Sequence, residues 1–239
     1  MTNYMNITQL NLLKLENKKS LESVLSKVRH ANPKNFSLEE KVIEIFAASL
    51  LAHGKDRNQM RQIAQISKIL GQSLGHGLTY CEKLEQAARI YDVGNVMICR
   101  EIYQKDEKLT FEEFEAIKYH TFMGKDLLEV QNLPTTDLAA VISEGHHEWW
   151  DGGGYPSQKK NKEIDIASRI VAVADTVSAL FRQRPGRNAW EYKNILEYVE
   201  GRSGIQFDPD VVDVFLINQD AIHEILLVDL EHAPSEWYA

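Results

Sequence analysis

Cysteine, positive charge and long apolar stretches are all scarce in this chain of 239 residues. Its two cysteines, Cys81 and Cys99, cannot form a disulfide framework and suit a reducing cytoplasm. The longest apolar runs, such as the one that begins at Ile170, are too short to cross a bilayer, and the first residues do not resemble a secretory signal. A net charge of −8 argues against a binder of nucleic-acid polymers. We therefore expect a cytoplasmic protein that binds neither membranes nor nucleic-acid polymers, although a small anionic ligand stays open.

Sustained strand-like alternation and internal repeats are also lacking, and apolar residues recur every three or four positions. Capping boxes, Ser37 with Glu40 and Thr110 with Glu113, predict two helix starts. The segment Ile166–Phe181 is apolar on most faces, which indicates a central buried helix. These patterns predict an all-α protein.

The domain organisation is less clear from the pattern. The segment ANPKNF, residues 31–36, looks like a joint after a short helical piece. We expect an N-terminal helical extension over residues 1–50 and one main domain over residues 51–239. The segment EILLVDL, residues 224–230, is the one place where the pattern allows a short strand.

Five ionisable side chains stand in predicted helices that are otherwise apolar. A buried carboxylate is costly unless it is paired or bound to a cation. An isolated core histidine or aspartate is ordinarily hydrogen-bonded or ion-paired, but an adjacent histidine pair with three more such residues on other helices favours a divalent cation held inside a helical bundle. The five are Asp92, His120, His146, His147 and Asp175.

The motifs LEQAARIYDVGN, HHEWWDGGGYP, RIVAVADTVSAL, RPGR and GIQFDPDVVDVF resemble the HD-GYP domains, over about residues 59–216. These domains are a branch of the HD phosphohydrolases that cleaves the bacterial second messenger cyclic di-GMP. The resemblance implies an HD-superfamily helical bundle and cyclic di-GMP or a related cyclic dinucleotide as ligand. It also implies a possible protein partner through the loop that contains Gly154, Tyr155 and Pro156.

The resemblance further implies a site for two metal ions that share one bridging aspartate, here Asp92. One ion would be bound by the later histidines of the motifs. The other would be bound by an early histidine, the histidine of the His-Asp doublet and a late aspartate. The positions that keep a ligand of this set are Asp92, His120, His146, His147 and Asp175.

Three positions of the family's site are substituted in this chain. Counted without a gap, Gln59 stands at the early histidine and Tyr91 at the histidine of the doublet. An amide and a protonated phenol are poor replacements for imidazole. The lysine that normally follows the doublet is Asn95, so a cation suited to a phosphoryl oxygen is lost. Because only one ligand set is complete, we expect one divalent ion, which could be iron, manganese or zinc.

Catalysis and substrate recognition are affected unequally by these changes. Loop glycines let backbone amides approach an anion, and guanidinium groups match phosphate geometry, although the arginines could equally be part of a solvated basic turn. The candidate catalytic residues are Asp92 and Asn95. The candidate substrate-binding residues are Gly154, Tyr155, Pro156, Arg184 and Arg187.

Three functions are compatible with this pattern. The favoured one is a degenerate HD-GYP protein that binds cyclic di-GMP or signals through it, with weak or absent hydrolysis. A second is an active cyclic di-GMP phosphodiesterase with an atypical metal site. The third is a metal-free protein-interaction module. The selective loss of one ion's ligands favours the first.

Overall fold

The computed structural model describes residues 37–103, 105, 107–183 and 188–228. The described residues form α helices joined by short turns, and within them the only bridge between extended segments joins Ser203 and Phe207. The all-α prediction is therefore confirmed. The helices are α1 (Leu38–His53), α2 (Arg57–Ser73), α3 (Leu78–Ala87), α4 (Arg100–Tyr103), α5 (Phe111–Lys118), α6 (His120–Glu129), α7 (Pro134–Gly145), α8 (Ile166–Phe181), α9 (Tyr192–Gly201), α10 (Pro209–Ile217) and α11 (Gln219–Leu227).

The strand considered for residues 224–230 is wrong for the part that the structure describes, because residues 224–227 complete α11. The buried residues of α11, Ile222 and Leu226, are four positions apart, which is the spacing of one helix face. In none of the described helices is there a stretch long and apolar enough to span a membrane.

Helix α1 crosses the expected boundary between extension and main domain at residue 50. The predicted capping box of Ser37 and Glu40 starts it, and Gly54 ends it in the left-handed conformation, with a φ of 112°. Its buried residues Ile43, Ala47 and Leu50 belong to the main hydrophobic core. The expected joint at residues 31–36 lies outside the described residues.

Helix α8 is the central buried helix that its composition predicts. Ile170, Val173 and Val177 are fully buried in a core to which α2 and α7 also contribute. Burial of each such side chain stabilises the fold by roughly 1.5–3 kcal/mol. This packing fixes the positions of α2, α7 and α8 around a common interior.

A pair of glycines brings the remaining site elements together. Residues Val93–Met97 form a short 3₁₀ helix that packs against α6. A Cβ atom on Gly94 would lie 1.9 Å from the carbonyl oxygen of His120, so a side chain does not fit there. Gly124 similarly leaves room for Ser143 of α7, whose Oγ would be 2.2 Å from an added Cβ. The two glycines therefore allow the 3₁₀ helix, α6 and α7 to pack in direct contact.

The helix predicted from Thr110 is present but is divided in two. The capping box of Thr110 and Glu113 starts α5, as predicted. The helix is interrupted at Tyr119, and α6 begins at His120. His120 is thus at the start of a helix rather than in the middle of one.

Candidate metal centre

Three histidines from two neighbouring helices converge at one point. His120 begins α6, His146 caps the C-terminus of α7, and His147 follows it. One ring nitrogen from each lies within 4.8 Å of the others. The Nε2 atoms of His120 and His146 are 3.3 Å apart. This is the only group of three or more potential metal ligands that close together within the described part of the chain.

The hydrogen bonds of the outer ring nitrogens determine which atoms face the centre. Nδ1 of His120 lies 2.7 Å from the carbonyl oxygen of Ile117. Nδ1 of His146 lies 3.0 Å from the carbonyl oxygens of Ile142 and Ser143. Carbonyls only accept, so each Nδ1 carries the proton and each Nε2 presents a lone pair. Two facing lone pairs require a shared proton or a cation.

The spacing of these nitrogens fits a metal ion. Metal–imidazole bonds of about 2.0–2.1 Å place neighbouring ligand atoms roughly 3–3.5 Å apart. The observed 3.3 Å between the two Nε2 atoms falls in this range. Carbonyl groups that orient the far nitrogen are also the usual support of metal-binding histidines. The Nε2 atoms of His120 and His146 therefore fit one divalent ion, while the full group of three histidines spreads to 4.8 Å.

Asp92 supplies a carboxylate to the same point. It is buried at the start of the 3₁₀ helix, and its Oδ1 lies 3.4 Å from Nε2 of His120 and 4.0 Å from Nε2 of His146. Asp175 is half-buried on α8, and its negative charge acts on the pKa of His146. The structure thus places Asp92 at the histidine cluster and Asp175 within electrostatic range of it. Their role as metal ligands stays a prediction.

Burial controls the protonation of the cluster. Burial, followed by the positive charge of His120, lowers the pKa of His146 to about 4. Burial, followed by the same repulsion from the neighbouring histidines, also lowers the pKa of His147 well below its ordinary value. Burial alone would raise the pKa of Asp92, but the charges of Lys55, His120 and His146 hold it far below its usual range. At neutral pH His146 and His147 are therefore neutral and Asp92 is ionised, and these are the forms that bind metal.

One residue of the centre was missed by the sequence analysis. Nζ of Lys55 lies 2.7 Å from Oδ2 of Asp92, and the two side chains are 9% and 11% exposed. The sequence did contain a clue to this contact. Lys55 stands four residues before Gln59, and Gln59 occupies the position where the family has its early histidine. A buried aspartate that loses imidazole-bound metal needs another cation, and Lys55 is one.

The residues at the three substituted positions are buried but do not supply a second set of imidazole ligands. Gln59 is buried in the first turn of α2, where its N–H donates to Oδ1 of Asp56. Tyr91 is buried with its ring edge-on to His146, at 4.8 Å between centroids. Asn95 is buried one turn after Asp92, whose carbonyl accepts its N–H. A phenol, an amide and an ammonium do not fit a second divalent ion.

The Gly-Tyr-Pro loop packs directly on the histidines. Tyr155 stacks on His147, at 4.7 Å between centroids, and its N–H donates to the carbonyl of His147. A Cβ atom on Gly154 would lie 2.3 Å from the backbone nitrogen of Trp149, so only glycine fits. Burial, then the charges of Asp92 and Asp175, raise the pKa of Tyr155, which stays a neutral phenol.

A cavity of about 560 Å³ opens beside this loop. Nζ of Lys118 lies 4.8 Å from the ring centre of Phe114 and 5.4 Å from that of Tyr155. Because Tyr155 contacts His147 and also lines the cavity, the cavity adjoins the metal centre. Its lining includes Phe114, Lys118, Tyr119, Phe122, Tyr155 and Pro156.

The predicted phosphate-binding arginines, Arg184 and Arg187, lie outside the described residues. Arg182, which precedes them, pairs with Asp56 at 2.5 Å. This ion pair holds the end of α8 against the start of α2. The role of Arg182 is therefore structural.

An all-helical domain with a buried histidine–carboxylate centre defines a class of metal-binding helical proteins. A sequence model of the HD domain family matches residues 41–211, and the chain belongs to this family. A cyclic di-GMP phosphodiesterase of Thermotoga maritima is 34% identical over 188 residues, which are 77% of this chain and 50% of that protein. A 3'3'-cGAMP-specific phosphodiesterase of Vibrio cholerae is 27% identical over 212 residues, or 77% of this chain and 41% of that protein. The resemblance to the HD-GYP branch is confirmed.

The same fold is found in solved structures. The structure of Bd1817, described as an HDG"Y"P protein from Bdellovibrio bacteriovorus, superposes with a TM-score of 0.58 at 15% identity. The match covers 93% of this chain and 74% of that one. At this identity the likeness concerns the fold, and it agrees with the predicted HD-type helical bundle. The chain spans about half the length of the first curated relatives that it matches.

Proposed function

We propose that this chain is a cyclic-dinucleotide-binding domain of the HD-GYP type that holds one divalent ion and hydrolyses its ligand weakly or not at all. The observation that carries the proposal is the 3.3 Å separation of the Nε2 atoms of His120 and His146 beside the buried carboxylate of Asp92. If both atoms present lone pairs, this buried arrangement needs a shared proton or a cation between them, and the proposal assigns a divalent ion to that place. Iron, manganese and zinc suit mixed imidazole and carboxylate ligands.

The residues of this centre would have different roles. His120, His146 and His147 would bind the ion, and the negative charge of Asp92 would stabilise the ion in the site. A bound ion supplies Lewis-acid chemistry, by which it attracts a phosphate group and makes nearby water more acidic. The O–H group of Tyr155 would donate a hydrogen bond to a phosphate oxygen, because the raised pKa of Tyr155 keeps the phenol protonated.

The class of ligand is inferred from the relatives and from the cavity. The relatives' names specify cyclic di-GMP and 3'3'-cGAMP, two cyclic dinucleotides. The aromatic rings and the ammonium around the cavity suit a flat nucleobase next to a phosphate, because aromatic stacking is worth about 1–3 kcal/mol per base. A ligand phosphate at the histidines would place a base in this cavity. Arg184 and Arg187 are proposed to contact the second phosphate.

Weak hydrolysis follows from the groups that the centre lacks. With Gln59 and Tyr91 in place of two imidazoles, a second ion has no adequate ligand set. With Asn95 in place of lysine, one cationic contact to phosphate is gone. Loss of a single electrostatic stabiliser of a charged transition state costs about 3–4 kcal/mol, which is a factor of 10²–10³ in rate. Two such losses would reduce turnover to a barely measurable rate.

The experiment is calorimetric titration of cyclic di-GMP into protein loaded with manganese or iron, together with chromatography of the nucleotide after long incubation. We expect binding that weakens in added salt and on Arg184→Ala or Arg187→Ala, because guanidinium–phosphate contacts are charge-assisted. We expect little or no linear product. Turnover near the enzyme median of about 10 s⁻¹ would instead identify an active phosphodiesterase. No binding of metal or nucleotide by folded protein would favour an interaction module.

A further inference from the structure

Lys55 is held in place by the backbone on both sides of it. Gly54 ends α1 in the left-handed conformation, and Asp56 caps the start of α2. The N–H of Lys55 donates to the carbonyl of Leu50 at 3.0 Å. The residue therefore lies in a short, fixed joint between two core helices. Its ammonium group reaches the metal centre from this rigid support.

The two oxygens of Asp92 face different partners. Oδ1 points to the histidines, 3.4 Å from Nε2 of His120. Oδ2 accepts a hydrogen bond from Nζ of Lys55 at 2.7 Å. In the two-ion arrangement that the family resemblance implies, this carboxylate would bridge both ions through its two oxygens. Here the side of Asp92 that faces away from the histidines is already occupied by an ammonium.

The groups around the ammonium suit a lysine better than a metal ion. The ring of Tyr91 lies 5.8 Å from Nζ, within the range of a cation–π contact. Asp56, which follows Lys55, is paired with Arg182 and caps the start of α2. The ring of Tyr91, which stands where the family has an imidazole, thus faces a monovalent cation.

We propose that the ammonium of Lys55 is a protein-borne cation that takes the place of the first metal ion, so that the centre pairs one metal ion with one ammonium across Asp92. The inference rests on the proposed single-ion function. A fixed ammonium neutralises Asp92, repels a second divalent ion from Oδ2, and presents a positive charge to a ligand phosphate. It cannot make water more acidic as a divalent ion does.

The test is titration of manganese into metal-free protein, without nucleotide, followed by calorimetry and by metal analysis after dialysis. Lys55→Met removes the charge at similar length. Wild type is expected to bind one ion per chain. The variant is expected to bind manganese at least about tenfold more tightly, because a neighbouring positive charge has been removed. Lys68→Met is the matched control, since Lys68 forms a half-exposed ion pair with Glu85 at the same 2.7 Å.

The stoichiometry provides a second measurement. Gln59→His with Tyr91→His should leave one ion per chain while Lys55 is present, and two ions once Lys55→Met is added. Lys55→Gln keeps a donor for Asp92 without charge, and it replaces the methionine variant if that one does not fold. Unchanged or weaker manganese binding in the neutral variants would show a purely structural ion pair and overturn the proposal. The manganese titration contains no nucleotide. Its outcome is therefore independent of whether the protein binds cyclic di-GMP, and failure of this proposal can be distinguished from failure of the proposed function.

Discussion

Replacing Gly94 by alanine should damage the metal centre although it replaces none of the proposed metal ligands. The added Cβ would lie 1.9 Å from the carbonyl oxygen of His120 and 2.6 Å from the nitrogen of Gly124, where an ordinary contact is 3.4 Å or more. The 3₁₀ helix and α6 must therefore separate by about 1.5 Å. Overpacking of a rigid core costs about 1–3 kcal/mol. For a domain of this size that lowers the melting temperature by roughly 3–10 °C.

The same displacement should weaken metal binding, because metal–ligand distances tolerate only about 0.2 Å. Since Asp92 and His120 stand on the two separated elements, we expect at least a tenfold loss in manganese affinity. Calorimetric titration of manganese into metal-free protein measures the affinity, and thermal unfolding of the same protein measures the melting temperature. Gly201→Ala is the control, because an added Cβ there meets nothing within 4 Å. If Gly94→Ala binds manganese as tightly as wild type, the reasoning that close packing of the 3₁₀ helix on α6 positions the metal ligands is refuted.

Three further predictions concern protonation, metal content and restored catalysis. Because the pKa of His146 is about 4 in the folded chain against 6.5 for the free group, stability of metal-free protein should be constant above pH 6.5 and fall towards pH 4. Urea unfolding should show a loss of about 2 kcal/mol by pH 5. His147→Ala should abolish metal retention through dialysis, whereas Gln59→Ala should leave it nearly unchanged. In a chain that also carries Lys55→Met, Gln59→His with Tyr91→His should give measurable cleavage of cyclic di-GMP, and adding Asn95→Lys should raise turnover without changing the metal count.

The helical fold and the convergence of the site could be predicted because both depend on local pattern and on a long motif. The capping boxes at Ser37 and Thr110 give the starts of α1 and α5 directly. The histidine pair is placed by the end of α7, which the motif contains. What the pattern could not give is the interruption at Tyr119, where the hydrogen bonding of a nearly continuous helix changes. Helix ends of this kind depend on tertiary packing rather than on intrinsic propensity.

The contact between Lys55 and Asp92 could not be derived from the pattern either. The two residues are 37 positions apart, and a lysine in a sequence ordinarily indicates a solvated surface. The cavity beside Tyr155 was missed for a related reason. Its rings at Phe114 and Phe122 are spaced like an ordinary apolar helix face, and only the folded chain shows them 45% and 41% exposed. Both the contact between Lys55 and Asp92 and the exposure of these rings depend on how the helices pack, which the sequence pattern alone does not specify.

The ion pair at Asp92 also gives a physical reason for keeping this aspartate after its imidazole neighbours have been replaced. A buried carboxylate without a counter-charge is strongly destabilising, and removing one partner of a buried pair costs about 3–5 kcal/mol. Once Gln59 and Tyr91 no longer support an ion, Asp92 persists only if another cation neutralises it, and Lys55 does so at 2.7 Å. Under the proposal, one metal ion together with one ammonium would still attract a phosphodiester, but the centre would lose the paired ions that activate water between them. The proposed replacement of a metal ion by an ammonium would therefore weaken the chemical step more than the binding of phosphate, in agreement with the proposed function.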